Sequence, residues 1–460
     1  MKKLLSFSAA TLALATLLPL GLSAQKDSSA KRELKEFYGR PSNWRAYDQS
    51  GINQFESKKS DVLPFDGLRI RFGAGFTQQW QSIKHENPGA DNSLTANKLY
   101  PLTSGFMTAQ ANLYTDVQLA DGIRLNVTTY LSARHHNEAW VKGGYIQFDK
   151  LPFKGDFWTN LMKITTIKVG HMEINYGDEH FRRSDGGQTL YNPFMDNLIM
   201  DGYATEIGGE VYLQKGGLFG MLGLTNGMIK GNVDSTYKTA VDDNISKAPS
   251  IYLKGGFDKN LSDALRIRVS GSYYHNSSSA GSGLTLYGGD RTGSNYQNVM
   301  EKVPYGTALP AGTAVAFSGR FNPGFSKKID AFMFNGFVKF HGLEVFGTVE
   351  SSKGRTKNEV DDRKATQLSG DVVYRFGAKE NVFIGARYNT VSARLANTAA
   401  ITYTSDVKID RVAASAGWFL TRNVLLKGEL VQQKYLDFPT KDYRSTGKFN
   451  GVVIEAVVGF

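Results

Sequence analysis

Gly451-Val452-Val453-Ile454-Glu455-Ala456-Val457-Val458-Gly459-Phe460 is the stretch on which the reading of this chain turns. Val452, Ile454, Ala456, Val458 and Phe460 occupy every second position, the signature of a strand with two unlike faces. The same period recurs upstream. Val382, Ile384, Ala386 and Tyr388 alternate with Arg387 and Asn389; Leu265, Ile267 and Val269 alternate with Arg266, Arg268 and Ser270. Ile207, Val211 and Leu213 alternate with Glu206, Glu210 and Gln214, and Leu68, Ile70, Phe72, Ala74 and Phe76 with Arg69 and Arg71.

About sixteen such runs are read, at 68–76, 106–119, 122–134, 139–149, 161–172, 203–214, 217–225, 249–257, 264–274, 330–340, 342–350, 365–376, 381–390, 407–420, 422–433 and 448–460. Trp140 to Phe148 fits either facing. Most runs are roughly 9–13 residues long, which matches the length a tilted strand needs to cross a bilayer. The connections sort by length. Short ones follow the even-numbered runs and long ones (77–105, 173–202, 226–248, 275–329, 391–406) the odd-numbered, with 135–138 and 150–160 as exceptions. Long and short connections at opposite ends, with an even strand number, are expected of a transmembrane antiparallel β-barrel. A soluble β-sandwich or propeller accounts for the alternation but not for this sorting.

Composition agrees. The 460 residues include 49 Gly and no Cys, and 41% are hydrophobic. A polytopic helical membrane protein is excluded, as are a disulfide scaffold and any thiolate metal site. Lys2, Lys3 and the apolar run to Leu22 read as a secretory signal peptide over 1–24, cut after Ala24. Residues 25–65 form a polar arm, periplasmic or lumenal, and 66–460 the barrel. The formal charge of +11, or +9 without Lys2 and Lys3, fits an acidic membrane surface or anionic solutes. Export argues against nucleic acid.

In hydrocarbon every backbone polar group needs an internal partner, so a sheet can span only by closing on itself. The alternation then turns Leu, Val, Ile and Phe to lipid and Arg, Glu and Asn to the lumen. Sixteen strands leave an aqueous channel. Basic residues expected in that lumen are Arg69, Arg71, Arg124, Lys168, Lys254, Arg266, Arg268, Arg375, Arg387 and Lys427. The inward acids Asp116, Glu206, Glu210, Glu344, Glu350, Asp371, Glu429 and Glu455 nearly balance them, so cross-strand pairing is expected for many. The small basic excess implies a weak anion preference.

The connection 173–202 is the third on the long side. It holds Asp178, Glu179, His180, Arg182, Arg183 and Asp185, with Tyr176, Phe181, Tyr191 and Phe194 to pack it against something. These charges are read as a constriction whose field sets ion preference; the alternative is a solvated surface loop. His135-His136 beside Ser132 is the one adjacent set resembling a catalytic pair, and a turn is its simpler role. His171, His180 and Asp178 lack metal-site spacing. No enzyme activity, cofactor or metal is expected.

Several features carry family resemblances. The C-terminal Phe460 resembles the signal that barrel assembly machinery reads in Gram-negative outer-membrane proteins. By loop order, 173–202 is similar to the third external loop of general porins, which folds inward and narrows the pore. Ile167-Lys168-Val169-Gly170 leading to Tyr176-Gly177, and Leu222-Gly223-Leu224-Thr225-Asn226-Gly227, resemble stretches of the phosphate-selective porin O/P family. Tyr191-Asn192-Pro193-Phe194 and Asn43-Trp44-Arg45…Asp48-Gln49…Gly51-Ile52-Asn53 resemble porin-like proteins of the Bacteroidetes. The resemblance implies an outer-membrane porin passing small hydrophilic solutes by diffusion, with membrane lipid and the assembly machinery as partners; a homotrimer is compatible with it. The family's phosphate-binding residues do not align one by one here. The alternatives are a phosphate-type anion channel, or a structural or adhesion barrel plugged by 25–65.

Overall fold

A computed structural model describes residues 44–59, 65, 67–91, 93–94, 97–132, 138–185, 187–233, 238–241, 245–280, 283–289, 295–303 and 318–460. The signal segment, the rest of the arm and the His135-His136 pair lie outside these. The described residues belong to one unit, Ser42–Phe460. It is a closed sheet of β1 (Arg69–Glu86), β2 (Gly105–Phe106), β3 (Gln110–Ala120), β4 (Ile123–Ser132), β5 (Glu138–Phe148), β6 (Thr165–Glu173), β7 (Thr205–Lys215), β8 (Leu218–Thr225), β9 (Ser250–Asn260), β10 (Leu265–Asn276), β11 (Lys328–Phe340), β12 (Leu343–Arg355), β13 (Arg363–Phe376), β14 (Val382–Ala393), β15 (Val407–Thr421), β16 (Val424–Leu436) and β17 (Lys448–Gly459). Both β2 and β3 pair with β1, at Trp80–Gln81 and Arg69–Thr77, so they are two pieces of one stave and the barrel has sixteen. Every pairing is antiparallel, and β1 on β17 closes the ring from Gly75↔Gly459 to Glu86↔Lys448.

Short turns gather at one end. Gly216 and Gly217 join β7 to β8 with φ of 64° and 93°, a pair of left-handed residues that a tight hairpin requires and that glycine adopts without strain. The expected strand at 161–172 begins later, because Asp156–Met162 forms a short helix in the β5–β6 connection. β1 runs ten residues past its expected end at 76. Its outward residues there are Gln78, Trp80, Ser82 and Lys84, while Gln79, Gln81 and Ile83 stay buried inside. Pairing persists, but the outer face has left the apolar layer, so the hydrophobic alternation fades before the ladder does. β12 does the same, with Leu343, Val345 and Val349 outward, then Ser351 and Lys353. The outer wall is therefore an apolar belt, exposed at Phe72, Val269, Phe334, Val372, Leu430 and Ile454, below a polar rim. Phe340, Tyr374, Phe376 and Trp418 add aromatic rings near the short-turn end of that belt, where such rings suit a membrane interface.

The inner face departs from the simple expectation. Phe346, Phe383, Ile409, Phe449 and Val453 also point inward and are buried. Ile409, Phe449 and Val453 share a cluster with Tyr176, Met195, Ile199 and Met200 of the β6–β7 connection and Tyr296, Val299 and Phe321 of the β10–β11 connection, while Phe383 clusters with Leu190, Tyr191 and Phe194, and Phe346 with Phe55 and Phe337. The barrel thus has a true core in its lumen, and apolar residues turn inward wherever that core covers them.

Candidate lumenal site

The connection from Ile174 to Ala204 enters the lumen and lies mainly against β7 and the β9–β17 wall, with Thr189 bonded to Thr77 of β1 and Asp185 to Asn112 of β3. A segment without strand partners must satisfy its backbone some other way. The inward polar side chains of the wall do this. Asn175, Asp178, Met195, Ile199 and Met200 donate their N–H groups to Glu210, Asn335, Glu429, Asn389 and Gln367, at 2.7–2.9 Å. The ammonium of Lys427 donates to the carbonyls of Thr189, Asn192 and Phe194, each at 2.9 Å. Arg387 and Arg411 take the carbonyls of Asp196 and Asn197 at 3.1 and 2.7 Å. Tyr176 and Tyr287 both donate to Glu350, at 3.0 and 2.7 Å. Gly177 sits at φ 69°, and a Cβ there would lie 2.1 Å from the Met333 sulfur, so the loop approaches β11 as closely as glycine allows.

Residues 44–59 of the arm cross the short-turn end of the same lumen. The Tyr47 hydroxyl donates to Asp116 at 3.0 Å, and its ring stacks 3.9 Å from that of Tyr114. Gln49 donates to carbonyls of Arg422 and Lys379, in two short turns. Asn53 donates to Glu344 at 2.6 Å. Phe55 packs edge-on against Phe181 and Phe337. Glu56 pairs with Lys254 at 3.0 Å and Arg268 at 2.8 Å, and Lys59 donates to the Asp149 carbonyl at 2.6 Å. Burial raises the Glu56 carboxyl, but Lys254 and Arg268 outweigh it and hold it down at about 2.

The six loop charges read as a constriction are mostly spent on the wall. Asp178 pairs with Lys254 at 2.8 Å and Arg268 at 2.6 Å. Arg182 donates to Asn53, lies 3.6 Å from Glu344 and sits over the Phe337 and Phe346 rings. Arg183 pairs with Asp201 at 2.6 Å. Glu179 accepts from Thr348, and burial raises its carboxyl to about 7. His180 and Asp185 line open space, His180 against Glu173 and Asp185 against Lys142. Of the ten wall cations, Arg375 pairs with Glu344 at 2.8 Å, Arg387 with Asp371 at 2.7 Å, Lys427 with Glu455 at 2.8 Å and Arg266 with Asp258 at 2.6 Å. Arg124 pairs with Asp149 at 3.1 Å, and Arg71 lies over Tyr47. Arg69 is on the same inward parity of β1. Lys168 faces open space between two tyrosine rings.

That open space is a cavity of about 250 Å³ between the loop, the arm and the β3–β7 wall. Several of its residues carry no mark in the sequence pattern. Arg45, stacked 3.6 Å over Tyr191, comes from the arm. Lys142 comes from β5, where Thr128 and Thr129 of β4 pair with Gly143 and Val141, leaving Lys142 as an extra, bulged residue. A bulge switches which parity faces inward. Lys142 and Gln147 are both buried while Val141 and Ile146 are exposed, which is why Trp140 to Phe148 fitted either facing. The inward tyrosines Tyr114, Tyr145, Tyr203 and Tyr212 complete the lining. Their alternation could have been read, but an amphipathic ring at a strand position serves a lipid face equally well.

No family model matches this chain, and no curated protein does. Solved structures do. An anion-selective porin from Comamonas acidovorans is 10% identical with a TM-score of 0.50, covering 86% of this chain and 100% of its own. The outer-membrane channel DcaP of Acinetobacter baumannii is 10% identical with a TM-score of 0.49, covering 86% and 98%. A trimer form of OmpT, an outer-membrane protein of Vibrio cholerae, is 11% identical with a TM-score of 0.48, covering 86% and 100%. A closed sixteen-stranded antiparallel sheet with an apolar outer belt, matching the whole length of the first of these with 86% of this chain, is the fold of an outer-membrane porin.

Proposed function

We propose that this chain is an outer-membrane channel that passes small hydrophilic solutes along the β3–β7 side of its lumen, with a mild anion preference. The observation that carries this reading is the division of the interior. The loop fills the β9–β17 side, while the cavity keeps charged and hydroxyl-bearing side chains facing open space on the other. Fixed charges lining a narrow wet passage bias which ions enter. The reading brings membrane lipid and the assembly machinery as partners; a homotrimer is compatible, as one Vibrio cholerae neighbour is described in a trimer form. Reversal potential of the purified chain in planar bilayers under a salt gradient tests it. Ohmic openings with a small anion bias are expected, and clear cation selectivity overturns the preference.

A second reading has its own observation. Residues 44–59 are fastened to opposite walls at the short-turn end, which supports a barrel plugged or gated by its arm. Silence of the full chain in the same bilayers, relieved when 25–59 are deleted, decides for the plug. Block by low phosphate decides for a phosphate-type channel.

A further inference from the structure

Lys168 is the cavity cation that the rest of the interior leaves unused. Arg124 and Lys142 have carboxylate partners. Arg45 donates to the backbone carbonyls of Gly51 and Phe181. Lys168 makes no ion pair and no hydrogen bond among the described residues. Of its cross-strand neighbours Gln147 is uncharged, and the Glu210 carboxylate accepts from Tyr212 and Tyr252 and makes no ion pair with Lys168. The ammonium lies 5.1 Å from the Tyr145 ring centre and 4.9 Å from that of Tyr212. A half-buried charge is normally paired, and here the space for a partner is the cavity itself.

We propose that the cavity is a recognition site for a small monocarboxylate with a flat apolar body, its carboxylate on the Lys168 ammonium and its body against the Tyr145 and Tyr212 faces. This rests on the channel reading only for its biological use, not for binding. One ammonium supplies a point charge, whereas phosphate recognition favours several donors in fixed forks. Asp116, Glu173 and Asp185 also line the cavity, so a second negative charge on the solute is opposed. The cavity of about 250 Å³ has room for a molecule of benzoate size. The tyrosine faces give such a body apolar contact that a hydrated inorganic ion does not use.

Calorimetric titration of the full chain in detergent tests this with benzoate, benzyl alcohol and inorganic phosphate. Benzoate is expected to bind more tightly than either comparator. Lys168→Met lowers benzoate affinity about 10- to 100-fold, the loss of one charge-assisted hydrogen bond, and K168R retains most of it. Phosphate binding as tightly as benzoate overturns the proposal, as does K168M binding like the unaltered chain. The ligand comparison needs no variant, so a poorly folding K168M does not rescue the idea. Bilayer conductance is read separately. Benzoate binding without conductance sinks the channel reading and keeps the site; conductance without benzoate binding sinks the site alone.

Discussion

The two sides of the lumen carry the same alternating polar lining and use it differently. On the β9–β17 side the inward Glu, Asn, Gln, Lys and Arg residues act as solvent for a folded peptide: Glu429, Asn389 and Gln367 accept from its N–H groups, and Lys427 donates to its carbonyls. On the β3–β7 side, Asp116 and Arg124 meet Tyr47 and Trp44 of the arm at the cavity's edge, while Gln147 and Lys168 line open space. An inward charge is therefore not evidence of a wet pore wall by itself. What decides its role is whether a segment from elsewhere in the chain lies over it.

The sharpest way to break this contrast is to cut the ties on the filled side. Arg268 holds both Asp178 and Glu56, all three buried. Removing one partner of a buried ion cluster leaves charge uncompensated, so Arg268→Ala is expected to cost about 3–5 kcal/mol. Urea unfolding in detergent measures this, and a larger conductance accompanies it as the loop and arm are released. Lys427→Met comes next, at about 3 kcal/mol, because Glu455 is left buried without its cation. Adding Glu455→Gln should recover part of the loss; no recovery would assign the cost to the three loop carbonyls instead. Tyr287→Phe removes one hydroxyl from Glu350 and is expected to cost about 1–2 kcal/mol by the same unfolding assay.

On the open side the same kind of cut should cost less. Lys142→Met strips the partner from Asp185, which is partly exposed to the cavity and is rehydrated, so stability changes by less than about 1 kcal/mol. Reversal potential should shift toward cations. A stability loss as large as that of Lys427→Met would erase the distinction between the two sides. A pH-dependent effect, separate from this ranking, belongs to Glu301 in the β10–β11 connection, whose carboxyl burial pushes up to about 7. The folded chain there binds its proton more tightly than the unfolded chain does. Its contribution is complete below about pH 4.5 and is lost as pH rises toward 7. Glu301→Gln should flatten the pH dependence of the unfolding midpoint across that window.

The staves were legible because each lipid-facing run repeats every second residue over a bilayer-length span. The upper part of β1 was not, since Gln78, Ser82 and Lys84 stand above the apolar layer and resemble loop residues. The inward parity of β5 was hidden by the single extra residue at Lys142. Loop order pointed to 173–202 as an inward segment, yet its charges gave no sign that Asp178 and Arg182 would be consumed by the wall. Those pairings join residues far apart in sequence, as Asp178 to Arg268, and no local spacing records them. The position of Tyr47, Phe55 and Glu56 has the same origin.

Closure of the ring by β1 on β17 has a consequence for how the molecule is made. Gly75 pairs with Gly459, and Phe460 exchanges backbone hydrogen bonds with Ala74 at 2.9 and 3.0 Å. The first stave cannot find its second neighbour until translation has passed Gly459. Until then both terminal staves present unpaired edges, which invite pairing with other chains. Contacts between such distant positions also form slowly. The ring therefore closes only once both ends of the chain are present, and until then its two edge staves are the places where wrong pairing starts.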